Sequence, residues 1–113
     1  MKVKKYMYSF PILKEKIDEW KSFAQKVNGE KNEEFTKMHK RIGVTKELWF
    51  LKEKKDSYEV LVYTEAVNDN FMELFKEDTS EFSEWFKANV EKTQKIDLTE
   101  SFKMPELVLD WVE

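Results

Sequence analysis

The 113-residue chain carries 20 basic and 23 acidic side chains, a formal net charge of -3, 41% hydrophobic and 15% aromatic residues, and no cysteine. That length allows one domain, 1–113, around a single aromatic core. The well-mixed charge offers no broad field to phosphate backbones or anionic lipid, so neither nucleic acid nor membrane is an expected partner. Without cysteine there is no disulfide, thiolate nucleophile or cysteine metal site, and no cofactor or metal is expected. No apolar run approaches the roughly 18 residues of a membrane helix. The stretch after the basic Met1 to Lys5 is too short and polar for a signal peptide, so the expected location is cytoplasmic.

In chain order, Val3 to Phe10 holds Tyr6, Met7, Tyr8 and Phe10, a β-favouring stretch that Pro11 should end because it lacks a backbone donor. Ile17, Trp20, Ala24 and Val27 then recur at helical spacing, with Lys, Glu, Asp and Gln on the other side. Asn28 and Gly29 should break this helix, because continuing its stripe would bury Lys31 and Glu34. A second helix restarting near Glu30 should bury Phe35, Met38 and Ile42 and end at Gly43.

Glu47 to Leu51 and Tyr58 to Tyr63 read as a hairpin turning at Lys54 to Ser57. A register centred between Lys55 and Asp56 opposes Lys52 to Glu59 and Lys46 to Glu65, both pairs of opposite charge. It puts Trp49, Leu51, Tyr58, Val60 and Val62 on one face and Leu48, Phe50, Leu61 and Tyr63 on the other. Strands covered on one side only should alternate apolar and polar. Apolar residues on both faces therefore demand a second cover, and a partner subunit is the expected one.

Asn68 or Asp69 is placed to cap a short helix burying Phe71, Leu74 and Phe75, and Asp78 with Glu81 forms a capping box for the next. There Phe82, Trp85, Phe86, Asn89 and Val90 make the clearest helical stripe of the chain. Thr93 to Met104 reads as a loop pinned by Ile96, Leu98 and Phe102, and Glu106 to Val112 as a last strand. The sum is an α+β, ferredoxin-like βαββαβ domain: a four-stranded antiparallel sheet with helices on one face and the other bare.

With this element order, the YSFP of Tyr8 to Pro11, Trp49, the VYTE of Val62 to Glu65, the FSEWF of Phe82 to Phe86 and the PELVLDW near the end, the chain resembles the dimeric α+β barrel superfamily. Within it the resemblance is to a small, uncharacterised bacterial family distantly related to antibiotic-biosynthesis-type monooxygenases. The resemblance implies a homodimer in which two sheets pack face to face. It also implies a small organic ligand, with cofactor-independent monooxygenase or isomerase-like chemistry as the candidate activity. The haem-degrading relatives use an Asn, Trp and His set whose His lies on the second helical region, where this chain has none.

Among the residues themselves, His39 is the only histidine and lies beside Phe35 and Ile42 on the second helix, a candidate proton carrier or a histidine at the rim of an apolar stripe. Tyr63 and Glu65 share a strand face; a phenol and a carboxylate in an apolar cleft could bind and protonate a small polar ligand, while Lys46 offers Glu65 an ordinary salt bridge. Glu106 and Asp110 stand about 13 Å apart at strand rise, too far for a carboxylate dyad. Trp20 and Trp85 sit on helical stripes and fit core packing, whereas Trp49 and Trp111, with Tyr63, are candidates to line a ligand pocket or anchor the dimer. With Gly29 and Gly43 as the sole glycines, phosphate-binding loops, dinucleotide fingerprints and an RNA-recognition strand are excluded. Two functions remain: a dimeric barrel that binds, or binds and transforms, a small organic molecule, and a non-catalytic structural or interaction dimer with a filled core.

Overall fold

The computed structural model describes residues 2–94, 96–98 and 103–113. Its elements are β1 (Lys4–Ile12), a 3-10 turn (Lys14–Lys16), α1 (Ile17–Asn28), α2 (Asn32–Ile42), β2 (Val44–Glu53), β3 (Tyr58–Ala66), α3 (Phe71–Glu77) and α4 (Glu81–Gln94). The sheet is three-stranded and antiparallel in the order β1-β3-β2, so β3 is central and both β1 and β2 are edges.

Strand parity divides the molecule. Tyr8 and Ile12 of β1 and Val60, Val62 and Ala66 of β3 are buried on the helix side, in one cluster with Trp20, Phe23 and Val27 of α1, Met38 and Ile42 of α2, Phe71 and Phe75 of α3, and Phe82, Phe86 and Val90 of α4. Burying one Phe-sized side chain is worth roughly 1.5–3 kcal/mol, so this aromatic layer supplies most of the driving force. Phe23 is fully buried although it lies outside the expected Ile17, Trp20, Ala24, Val27 stripe. On the opposite face Met7, Leu48 and Phe50 are exposed, at 47%, 41% and 54%.

The hairpin register is the expected one: Lys52 opposes Glu59, Lys46 opposes Glu65, and Trp49 opposes Val62. The charges are nevertheless partnered differently, since Glu59 pairs with Lys54 at 3.3 Å and Glu65 accepts the Tyr63 hydroxyl. An irregularity between Val44 and Lys46 shifts the register at Thr45, whose hydroxyl donates to the Glu65 carbonyl at 3.2 Å. This bulge brings Val44, as well as Glu47 and Trp49, to the helix side. Pro11 does not end β1, which pairs through Ile12 opposite Tyr58; an edge strand accommodates a residue without a donor.

The last strand expected at Glu106 to Val112 is not formed. Residues 103–113 have no regular secondary structure, and Leu107, Val108, Leu109, Trp111 and Val112 are exposed. Met104 packs against the core, whereas beyond it this arm is apolar on both sides and exposed, and among the described residues the exposed Lys5–Asp110 ion pair at 2.8 Å ties it to the sheet, a type of contact worth little. Helix α4 runs to Gln94, into the segment expected to be a loop, with Thr93 and Gln94 buried. Ile96 and Leu98 pack against the core as expected, whereas Phe102 lies outside the described residues.

Two polar knots fix the helices. The capping residue of α4 is Ser80 and not Asp78: Ser80 Oγ accepts the Ser83 N–H at 3.2 Å, while Asp78 accepts the Ser80 N–H, the Ser83 hydroxyl and Arg41 Nε. Burial pushes the Asp78 carboxyl up, but these donors and the Arg41 charge outweigh it and hold it below the usual range. The second knot is Gly43, at φ 82°, which ends α2 and donates to the His39 carbonyl. Asn68 Nδ2 donates to the Ile42 carbonyl beside it, in the space a Cβ at position 43 would need.

Gly43→Ala should therefore lower stability by about 1–3 kcal/mol through left-handed strain and displacement of Asn68, read by denaturant unfolding. Combined with Asn68→Ala, its effect should be less than additive. Because the folded Asp78 is held low, its contribution is present in full above its ordinary value of 3.8 and fades as pH falls through the lowered one. The stability gap between the natural protein and Asp78→Asn should thus be constant near neutrality and close in acid, as urea midpoints across pH will report.

Candidate functional site

The bulge at Thr45 and the alternation of β2 bring Glu47 to the helix side, two residues from Trp49 and hence on the same face. Its carboxylate, with side-chain exposure of only 12%, accepts from Trp49 Nε1 at 2.5 Å and lies 3.1 Å from His39 Nε2. The His39 ring packs on Phe35 with centroids 4.0 Å apart, which fixes its orientation. Trp49 in turn lies against Trp20, Phe23, Phe35 and Phe86. A carboxylate in such a setting needs both donors, because an unpaired buried charge is costly.

Two spaces adjoin this group. An inner cavity of about 70 Å³ between sheet and helices is lined by Tyr8, Met38, Val60, Phe86 and Gln94, among others. An outer groove of about 460 Å³ runs beside β2, lined by Trp20, Ala24, Val27, Phe35 and Leu51, among others. Glu47 and Trp49 line both. Deeper in, the Tyr8 hydroxyl lies 3.0 Å from Thr64 Oγ1 and the Trp20 indole donates to Gln94 Oε1 at 3.1 Å. Burial, reinforced by the Glu47 charge and opposed by the Thr64 contact, pushes the Tyr8 phenol far up, so it stays protonated at any working pH. The arrangement offers an apolar chamber with a neutral phenol, an amide and one carboxylate.

The candidates His39, Tyr63 and Glu65 are not brought together. His39 meets β2 on the helix side, whereas Tyr63 and Glu65 lie on the bare face, the Tyr63 hydroxyl donating to Glu65 at 2.8 Å. Desolvation, with the Glu65 contact, raises the Tyr63 phenol; Lys5, held by Asp110, is raised as well. Of the other candidates, Trp49 lines both spaces, while Trp111 stands on the exposed arm, away from either lining. Tyr8, Glu47, Thr64 and Gln94 were not expected at a site. The available signal was the shared parity of Glu47 and Trp49, a carboxylate on the buried face of a strand.

Among the described residues no group of three or more His, Asp or Glu side chains is placed to hold a metal ion, and no helix is long and apolar enough to cross a membrane. No family model, no curated protein and no solved structure matches the chain.

Glu47→Ala leaves the Trp49 and His39 nitrogens without their acceptor and should cost about 1–3 kcal/mol in urea unfolding. It should also move the Trp49 indole N–H resonance to the position of a free donor. Glu47→Gln, which retains an acceptor oxygen, should recover at least half of the lost stability.

Proposed function

We propose that the protein is a homodimeric, ferredoxin-like α+β barrel in which each chain binds a small, largely apolar organic molecule between sheet and helices. The observation that carries this reading is Glu47, a carboxylate oriented by His39 and Trp49 at the wall shared by the inner cavity and the outer groove. A ligand with one hydrogen-bonding group fits an apolar chamber with few polar groups. Glu47 is positioned to take a proton from an acidic C–H or O–H, and the Tyr8 phenol to donate a hydrogen bond to a developing oxyanion. That pairing suits a cofactor-independent oxygenase or isomerase acting on a phenol or an enolisable ketone. The dimer is supported by the exposed Met7, Leu48 and Phe50 on the bare face, where a second sheet would pack and complete the cover. The superfamily resemblance and the cytoplasmic location belong to this same reading.

The modest inner volume and the dense ring contacts around Trp49 favour a second reading, a non-catalytic dimer with a filled core. A thermal-shift screen of small phenols and ketones separates the two. Under the first reading at least one compound class raises the midpoint, and Glu47→Gln weakens that response; no response from any class leaves only the filled-core dimer. Light scattering should show a species of twice 13.7 kDa at micromolar concentration. Leu61→Asp, which puts a charge at the centre of the bare face, should convert it to monomer while circular dichroism stays unchanged.

A further inference from the structure

We propose that the inner cavity takes the carbonyl end of a small, uncharged aliphatic ketone, its oxygen held by the side-chain amide of Gln94 and the carbon next to the carbonyl facing Glu47. This ligand class rests on the function proposed above, which admits both phenols and enolisable ketones, and selects one of the two.

The selection starts from an unanswered pair of donors. Gln94, at the end of α4, is only 5% exposed and lines the inner cavity. Its Oε1 accepts the Trp20 indole N–H at 3.1 Å. An indole nitrogen can only donate, so this bond fixes which end of the amide is oxygen. Trp20 belongs to the wall of the outer groove, so the amide oxygen faces that side and the NH2 group is left for the inner cavity. Among the described residues Nε2 has no acceptor. The other buried polar side chains there are all bonded: Thr64 to Tyr8, Ser83 to Asp78, Lys87 to the Lys76 and Asp78 carbonyls, and Thr93 to the Asn89 carbonyl. A buried donor without a partner is destabilising, and a carbonyl oxygen in the cavity would supply one.

Size and charge narrow the ligand further. The cavity holds about 70 Å³, roughly half of the ~150 Å³ that accommodates a benzene molecule. An aromatic ring is therefore too large for it, whereas the end of a methyl ketone fits. The Glu47 carboxylate on the same lining repels an anion, which excludes a carboxylate ligand of equal size.

In this pose Glu47 takes a proton from the carbon next to the carbonyl. The C–H electron pair becomes the C=C bond of an enolate, and the charge that develops on oxygen is met by Gln94 Nε2. Return of a proton to the same carbon restores the ketone. Glu47 also lines the outer groove, so the proton it carries exchanges with solvent between the two transfers, and in D2O the ketone acquires deuterium.

Butanone is the probe. Gln25 is the other glutamine of the chain, so glutamine-selective 15N labelling reads the Gln94 NH2 pair directly. Butanone should move that pair in the natural protein and leave Gln25 in place, while phenol and butyrate should move neither. Proton NMR in D2O should show deuterium entering butanone beside its carbonyl faster than in buffer. Gln94→Met, close in size but without donors, should slow this exchange roughly 100-fold, the usual effect of losing one oxyanion donor, and Glu47→Gln should abolish it. A Gln94 pair that ignores butanone overturns the proposal, whether or not Gln94→Met folds, as does exchange that Gln94→Met leaves unchanged. An equal response to phenol or butyrate overturns the choice of an uncharged aliphatic ketone. In each of these cases the function proposed above still stands if a phenol or ketone raises the thermal midpoint through Glu47, and both readings fall if none does.

Discussion

The β2–β3 register decides which residues this protein keeps inside. With Trp49 opposite Val62 and Phe50 opposite Leu61, the indole enters the aromatic layer and touches Trp20 and Phe23 of α1, Phe35 of α2 and Phe86 of α4. A slip by one residue would exchange Trp49 for Leu48 or Phe50 and remove a ring that joins three helices. The hairpin's own cross-strand pairs are worth only tenths of a kcal/mol each, too little to hold the register alone. It is fixed from outside the turn: Gly43 ends α2 in the left-handed region, the Val67 N–H bonds the Gly43 carbonyl at 2.9 Å, and the Thr45 bulge absorbs the residue that would otherwise put Val44 out of phase with Trp49.

These same elements show what could be read in advance. Opposed charges located the hairpin register although Glu59 and Glu65 find other partners, and Gly43 marked the end of α2 because few residues tolerate its left-handed backbone. The bulge left no such mark, since Thr45 is an ordinary strand residue and the irregularity reflects the need to bury both Val44 and Trp49. Phe23 was missed for a related reason: Trp20, Phe23 and Val27 fit the helical repeat as well as Trp20, Ala24 and Val27, and only the neighbouring Phe86 and Trp49 rings choose between them. The site was legible in part. Parity correctly paired Tyr63 with Glu65 and Leu48 with Phe50, but nothing in one strand or helix said that His39 would approach the sheet from the opposite side.

Glu47 is the departure from an otherwise consistent core. Most buried positions on the helix side of the sheet hold apolar residues, whereas Glu47 brings a carboxylate there that meets His39 and Trp49. The contacts to His39 and Trp49 also restrain the carboxylate, as a proton-transfer group would require under the function proposed above. The Tyr8 phenol, kept neutral by burial and by the Glu47 charge, complements it as a donor, so the two groups occupy opposite roles without competing for a proton.

Both edges of the sheet and its bare face pose one problem. An open edge beside exposed Leu48, Phe50 and Leu51 invites indefinite association, and proteins blunt such edges with charges, bulges or cover. Here Lys46 and Lys52 supply charge and Thr45 a bulge, but neither hides Phe50 or the apolar arm. Under the dimer proposed above, a two-fold axis through the bare face would pair that face with its equivalent and cover Leu48 and Phe50 on both chains. A closed arrangement of this kind would leave no bare face from which association could propagate, whereas an open-ended one would expose it again at each end.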